Sequence, residues 1–421
     1  TRVDENGLVN YAEVLGSELV TCGDFECAVP TDYWTPTQTT INGGEARIIT
    51  TGSYAGIVQS NVFEVGKTYL YSINVKSISG TLQIRAGSGT EIDISTNGIK
   101  TGYIVATDTD LQIKRKSSVG ALDATIDDVS IKEVTRDNVP RIDYTGGGCP
   151  HILAEPQRTN LLLQSNQFDT TWTLSASIDL TPEQSGVGGS TDAWLLKRNS
   201  TGSRYISQVL SLSSAQYSFT VYLKAESTNW AYLWSYDGTT ENNAYFDLQN
   251  GVVGNTSGAN FDGTKIESVG DGWYRCTLIY TQITTIVRIY PAYSNGNIST
   301  GNDNGIYIQY SQLEVGSYAT SYIPTSGGTV TRNQDIFTRD GIGSLINSTE
   351  GVLFVEAAAL SNDGTNRFLF VSDGTNDNGV RFYYSTTNNQ IVLRYYVGAA
   401  ATCIISFTLP NALNFNKIAF K

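Results

Sequence analysis

The chain has 421 residues, with 40 Asp and Glu against 27 Lys and Arg, a formal net charge of −13 and one histidine. That balance argues against a nucleic-acid surface, which needs clustered Lys and Arg to neutralise phosphates. No apolar run approaches the roughly 20 residues of a membrane-spanning helix, so no membrane insertion is expected, and no signal peptide is seen. One histidine and no Cys-x-x-Cys pair leave little from which to build a zinc site.

Gly, Ser, Thr, Asn and Tyr are abundant, and short apolar runs end at Gly, Asn or Asp. This predicts an all-β protein rich in turns, and the length allows about two to four domains. Methionine is absent, and Phe415–Lys421 reads as a strand with no turn after it. A segment of a longer polypeptide is therefore expected.

In chain order, residues 1–12 read as a ribbon whose turn is Asp4-Glu5-Asn6-Gly7. A first β domain is expected over residues 13–136. Its clearest strand is Lys67–Lys76, where Tyr69, Tyr71, Ile73 and Val75 alternate with Leu70, Ser72, Asn74 and Lys76, the pattern of a strand with one core face. Further strands are expected at Thr81–Arg85, Tyr103–Ala106, Asp110–Lys114 and Thr125–Val134. Cys22 and Cys27 can close a local loop, but the preferred reading is free, partly buried thiols.

Residues 137–160 read as a joint that carries the lone His151 with Glu155 and Arg158. A second β domain follows at 161–318, a Pro/Gly/Thr-rich connector at 319–350, and a third β unit at 351–421. Hairpin turns are expected in that last unit at Asp363-Gly364, Asp373-Gly374 and Asn388-Asn389.

The first two domains repeat one scheme. Leu19–Trp34 answers to Leu161–Trp172, each with a Phe and a closing Trp. Tyr69, Tyr71, Ile73, Val75 and Lys76 answer to Tyr217, Phe219, Val221, Leu223 and Lys224. Gln59 and Gln208 precede these strands at similar distance. Ile126–Val134 answers to Ile306–Val315, both ending in Glu-Val. Paired first and last strands make a compact jelly-roll sandwich with neighbouring termini, a form that can be inserted into another segment.

Three separated motifs carry a resemblance: LAEPQRTNLLLQSNQFDTTW from Leu153, VGDGWYRCTL at Val269–Leu278, and QLEVGSYATSYIPTSGGTVTR at Gln312–Arg332. Together they resemble tailed-bacteriophage virion proteins, in which a carbohydrate-binding-module-like jelly roll precedes a concanavalin A/laminin G-like sandwich. TRVDENGLV at the start and VPRIDY at Val139–Tyr144 look like further parts of that pattern, interrupted by an inserted domain. That inserted domain resembles family 4/9 carbohydrate-binding modules through LVTCGDFE, the Lys67–Lys76 strand and IDDVSIKEV. The resemblance implies a virion-surface fibre, spike or decoration protein with two jelly rolls and a partial third sandwich. Its expected partners are other virion proteins and cell-surface polysaccharide, and a homo-oligomer is expected.

The resemblance also implies a structural calcium between first and last strands, for which Asp24, Glu26, Asp127 and Asp128 supply hard oxygen ligands. The alternative is solvated acids that protect a β edge. Sugar faces stack on exposed aromatics, and the candidates are Trp34 and Tyr54 in the first domain and Trp194, Tyr205, Trp230, Tyr232, Trp234 and Tyr236 in the second. The last four are spaced by two and share one strand face. Core packing is the favoured reading of that face over a stacking platform.

Glu91-Ile92-Asp93 resembles part of a glycosidase carboxylate set but lacks the third acid, so solvent-facing strand residues are preferred. His151 beside Cys149 and Pro150 offers no base and orienter arrangement and is read as packing. Arg158 with Glu155, and Arg141 with Asp143, are read as carboxylate pairs that lock the joint. No catalytic residue is assigned, and a non-enzymatic protein is expected. The alternatives are a purely structural capsid or tail scaffold, or the accessory modules of a polysaccharide-degrading enzyme.

Overall fold

The computed structural model describes every residue except 1, 4–8, 11–12, 88–90, 119, 137–138, 140, 145–148 and 348–349. The expected turn at Asp4–Gly7 lies outside the described residues. Its flanks Arg2–Val3 and Val9–Asn10 pair antiparallel, and Arg2 donates to the Ile142 carbonyl at 3.0 Å. The N-terminal ribbon is thus tied to the segment that follows the first sandwich.

The first sandwich has two antiparallel sheets. One runs in the order Glu91–Ile94, Leu82–Arg85, Leu111–Arg115, Gly56–Gln59, Thr35–Thr37. The other runs Gly98–Val105, Thr68–Ser79, Leu122–Thr135, Glu45–Thr50, Thr39–Asn42, with Val14–Glu18 also on Leu122–Thr135. The alternation read from the sequence sets the inner face: Tyr69, Tyr71, Ile73 and Val75 are buried in the core with Ile48, Ile57 and Ile113.

Cys22 and Cys27 form a disulfide, which corrects the free-thiol expectation. The physical reason is local. Cys22 and Phe25 both have positive φ, so the loop coils back until the two Cα atoms stand 5.7 Å apart, within disulfide reach. Cys149, Cys276 and Cys403 are free.

The second sandwich is a continuous 10-stranded ladder that folds over on itself. Ile206–Ala225 and Trp273–Ala292 each serve both layers, and their mutual register breaks between Val209 and Leu212 and again between Leu212 and Ala215. Strands that cross between sheets at such irregularities make the corner of a sandwich. One layer holds Tyr217–Leu223 beside Asn304–Val315. The other holds Trp230–Tyr236 between Glu241–Asp247 and the far end of Trp273–Ala292. Phe219, Val221 and Leu223 meet Ala231, Leu233, Phe246 and Ile289 in the shared core.

The repeat extends to individual hydrogen bonds. Gln59 accepts from the Thr21 N–H and donates to its carbonyl, both at 2.9 Å; Gln208 accepts from the Leu163 N–H at 2.8 Å. Trp34 donates to the Cys22 carbonyl at 2.9 Å, and Trp172 to the Gln164 carbonyl at 2.8 Å. The last strands each carry a bulge with a residue at φ +49, Asp128 and Tyr310. The bulges fix the alignment of these strands: Glu133 stands opposite Tyr69, and Val315 opposite Tyr217. The shared Glu-Val endings are therefore one residue out of structural register.

Residues 317–332 do not hang free. Tyr322 and Ile323 are buried, and Val330–Arg332 pairs antiparallel with Arg158–Asn160. The joint and the connector therefore close on each other along one side of the second sandwich. In the third unit, Leu353–Ala357 pairs with Asn416–Phe420, and Arg367–Ser372, Gly379–Tyr384, Gln390–Val397 and Ala400–Thr408 form a four-stranded sheet. Phe382, Tyr384, Ile391, Leu393 and Ile418 fill its core. The protein is all-β, with two jelly-roll sandwiches and a smaller third β unit. Among the described residues no helix is long and apolar enough to cross a membrane.

Candidate functional site

Strand Trp230–Tyr236 has two buried faces of different chemistry. Ala231 and Leu233 point into the sandwich core. Trp230, Tyr232, Trp234 and Tyr236 lie on the opposite face and form a separate aromatic layer with Tyr205, Tyr245 and Tyr290. Tyr232 and Trp234 are buried, as the favoured core reading expects, but in a layer of their own: the small and aliphatic alternate residues fill the sandwich, and the rings are turned away from it.

Pairing on both sides builds the layer. Tyr232 stands between Tyr245 and Tyr290, and Trp234 between Asn243 and Arg288. Ring centroids are 4.4 Å apart for Tyr232 and Tyr245, and 5.1 Å for Tyr232 and Tyr290. Trp234 stacks on Tyr236 at 5.2 Å with an 18° interplanar angle. The Arg288 guanidinium lies 4.1 Å from the Tyr205 centroid and 4.2 Å from that of Trp234, and donates to the Tyr290 hydroxyl at 3.2 Å.

Trp234 Nε1 donates to Glu241 Oε2 at 2.7 Å. A Cβ at Gly254 would fall 2.6 Å from the Trp230 ring, so the neighbouring strand crosses that ring only because position 254 lacks a side chain. Burial pushes the Tyr232 phenol far above its ordinary value, with Tyr245 and Glu241 adding to the shift, so it stays neutral.

Tyr232 and Trp234 are sealed at 6% and 7% exposure, while Trp230 and Tyr236 are partly open. Tyr236 stands opposite Glu241 and next to Trp234 with its Arg288 guanidinium, whereas Trp230, at the other end of the strand, stands opposite Asp247 with Gly254 crossing its ring. That set can stack on a sugar ring and hydrogen-bond its hydroxyls. Arg288, Glu241, Tyr245 and Tyr290 were not singled out from the sequence. The period-two run Ile286, Arg288, Tyr290 was the available signal, masked by the length of a strand that serves two layers.

The other candidates are dispersed. Trp34 is fully buried and Trp194 is core, whereas Tyr54 is 47% exposed on a loop. The four acids proposed for calcium do not converge, and among the described residues no group of three or more His, Cys, Asp or Glu could hold a metal. Asp127 pairs with Lys76 at 3.2 Å, Asp24 accepts from the Glu26 N–H, and Asp128 accepts from Asn74. Glu91 pairs with Arg85, and Asp93 with Lys116 and Gln83, so both acids are taken up in edge-strand ion pairs.

At the joint, Glu155 is buried between Arg141 at 3.1 Å and Arg332 at 2.9 Å, and Arg141 also meets Asp335. Arg158 does not take part: its guanidinium lies 5.3 Å from the Tyr318 ring centroid. The antiparallel pairing of Arg158 with Arg332 brings in the second cation. His151 packs edge-on to Phe415 of the third unit, at 5.0 Å between centroids, with Asp143 at 3.8 Å.

The fold and this layer define a multi-sandwich β protein with an aromatic, mixed-charge sheet face. No protein-family model matches the chain, and no curated protein matches it. Among solved structures, it is similar to the N-terminal CBM22-1–CBM22-2 tandem domain of Paenibacillus barcinonensis Xyn10C, at 12% identity over 73% of this chain and 100% of that one, with a TM-score of 0.25.

Proposed function

We propose that this is a non-catalytic glycan-binding protein of a tailed-phage particle surface, a fibre, spike or decoration protein that attaches to cell-surface polysaccharide. The observation that carries the glycan reading is the aromatic layer around Trp230 and Tyr236, built on the sheet face that the sandwich core does not use. The motif resemblance described above supports the virion setting and, with it, contacts to other virion proteins. In a homo-oligomer, repetition of a weak site raises avidity well beyond a single contact.

The test is a glycan array probed with the full chain, its Trp230→Ala and Tyr236→Ala variants, and their melting curves. Binding to a defined glycan should weaken about tenfold or more in each variant, as for anchors in an interface, with melting close to that of the parent. An array without a hit, or hits indifferent to both substitutions, would overturn the reading. Release of sugar products from a polysaccharide would overturn its non-catalytic part.

One observation favours a second reading, that of a structural scaffold. Tyr232 and Trp234 are sealed by their own neighbours, as in a rigid buttress. A blank array together with this face seated on a capsid or tail protein in a particle reconstruction would establish that alternative.

A further inference from the structure

The outer face of the third unit's four-stranded sheet is distinct from the aromatic layer of the second sandwich. Arg381 and Arg394 stand directly opposite each other on adjacent antiparallel strands and share the face away from Phe382 and Leu393. Like charges at directly opposed positions are destabilising. In a chain with net charge −13, a carboxylate partner would be the simple remedy, and other arginines have one: Arg47 with Asp123, Arg275 with Glu267, Arg367 with Asp363. Among the described residues, neither Arg381 nor Arg394 forms an ion pair, and the Nε of each is buried without a hydrogen-bond partner. Of the two acids in the adjacent turn, Asp373 accepts from Thr375 and Asn378, and Asp377 forms no ion pair with either arginine; the turn reaches Arg381 only through Asn376 Oδ1, which accepts from Nη2 at 3.4 Å.

Besides the Asn376 contact of Arg381 and the Tyr396 hydrogen bond of Arg394, the two guanidiniums are held by rings. Arg381 lies 4.5 Å from the Phe370 centroid and 5.2 Å from those of Phe368 and Tyr396. Arg394 lies 5.5 Å from that of Tyr383. Stacking fixes the plane of a guanidinium, and with Nε buried it leaves the Nη groups as the donors that a carboxylate can reach. Phe368 beside them is 65% exposed, a flat apolar surface next to the paired cations.

We propose that this face binds an acidic polysaccharide, with the ring carboxylate of a uronic-acid-type sugar between Arg381 and Arg394 and its pyranose face against Phe368. The inference rests on the glycan-binding reading only for the class of ligand. The site lies in a different unit and is tested separately.

The experiment titrates the full chain with a galacturonate hexamer, a size-matched neutral oligosaccharide and poly-glutamate. The acidic hexamer should bind, the neutral one should not, and binding should weaken with added salt. The double variant Arg381→Gln/Arg394→Gln should lose about tenfold or more in affinity, and Phe368→Ala should weaken binding of the hexamer, while Trp230→Ala leaves it unchanged. Relief of like-charge opposition should keep the double variant's melting at or above that of the parent. If it melts lower, Arg381→Lys/Arg394→Lys decides, because it keeps the charge and removes the fork, and should still weaken binding. Equal binding of the neutral oligosaccharide, poly-glutamate as tight as the hexamer, or undiminished affinity in the variants would each overturn the proposal. Loss in Trp230→Ala of binding to the glycan defined on the array, with the hexamer still bound, would isolate the two faces from each other.

Discussion

At the scale of single residues, the charged joint separates what sequence neighbourhood suggests from what topology delivers. Glu155 is buried, which by itself pushes its carboxyl up, but Arg332 and Arg141 outweigh that and hold it below the ordinary 4.5. A depressed carboxyl contributes stability that is present above the ordinary value and is lost as pH falls through the folded one. Thermal stability should therefore fall as acid is added below about pH 4.5, and Glu155→Gln should show a shallower acid limb. Glu155→Ala leaves Arg332 without its carboxylate and Arg141 with Asp335 alone, and should cost about 3–5 kcal/mol. Arg158→Ala removes a cation–π contact and an exposed hydrogen bond to the Gln157 carbonyl, about 0.5–1 kcal/mol. Urea midpoints of the two variants check the order, and a larger loss from Arg158→Ala would refute it. The sequence offered Arg158 because it is Glu155's near neighbour. The true partner, Arg332, comes from the far side of the second sandwich through strand pairing, which no local pattern announces. Cys22 and Cys27 were misread for a related reason, since the positive φ values that bring them together leave no mark in residue type.

At the scale of elements, periodicity was legible wherever one face of a strand is buried and the other is not. Tyr69, Tyr71, Ile73 and Val75 were readable as an inner face for that reason, and they are buried; Tyr217, Phe219, Val221 and Leu223 were readable only as their counterparts, since Ser218, Thr220 and Tyr222 on the other face are buried as well. Trp230–Tyr236 was not, because both of its faces are covered and alternation then carries no direction. The repeated side-chain clamps give the elements their separate stabilities. Gln59 satisfies both backbone groups of Thr21, so Gln59→Ala should cost about 1–3 kcal/mol. Reduction of Cys22–Cys27, which closes a sequence separation of 5, should cost at most about 2 kcal/mol by loop entropy. Both losses belong to the first sandwich. Hydrogen exchange should show its core amides losing protection under reductant, while amides of Phe219 and Leu223 keep theirs. Equal loss in both sandwiches would mean that they unfold as one unit.

At the scale of the whole molecule, that last possibility depends on the contact between the two sandwiches, and the contact centres on one buried pair. Glu183 of the second sandwich accepts from the Ser95 N–H at 2.7 Å and from the Thr96 hydroxyl at 2.7 Å, and meets Lys100 at 3.4 Å with side chains only 11% and 9% exposed. Thr191 exchanges hydrogen bonds with the Thr101 backbone beside it. Burial raises the Tyr71 phenol of the first core, and Asp192 and Glu183 of the second sandwich add to it, so the two units share an electrostatic environment. Removing one partner strands the other in low dielectric, at a cost of about 3–5 kcal/mol, whereas replacing both by apolar residues can be near neutral. Glu183→Ala should therefore lower the first transition in calorimetry and separate it from the second, and Lys100→Met/Glu183→Leu should recover most of the loss. Splitting of the transitions in the single variant, without recovery in the double one, would place the coupling in the Ser95 and Thr96 hydrogen bonds and not in the ion pair. An unchanged calorimetric profile in Glu183→Ala would show that the sandwiches are coupled elsewhere, through the Arg141–Glu155–Arg332 joint. The Glu155 variants would then have to split the transitions that Glu183→Ala does not.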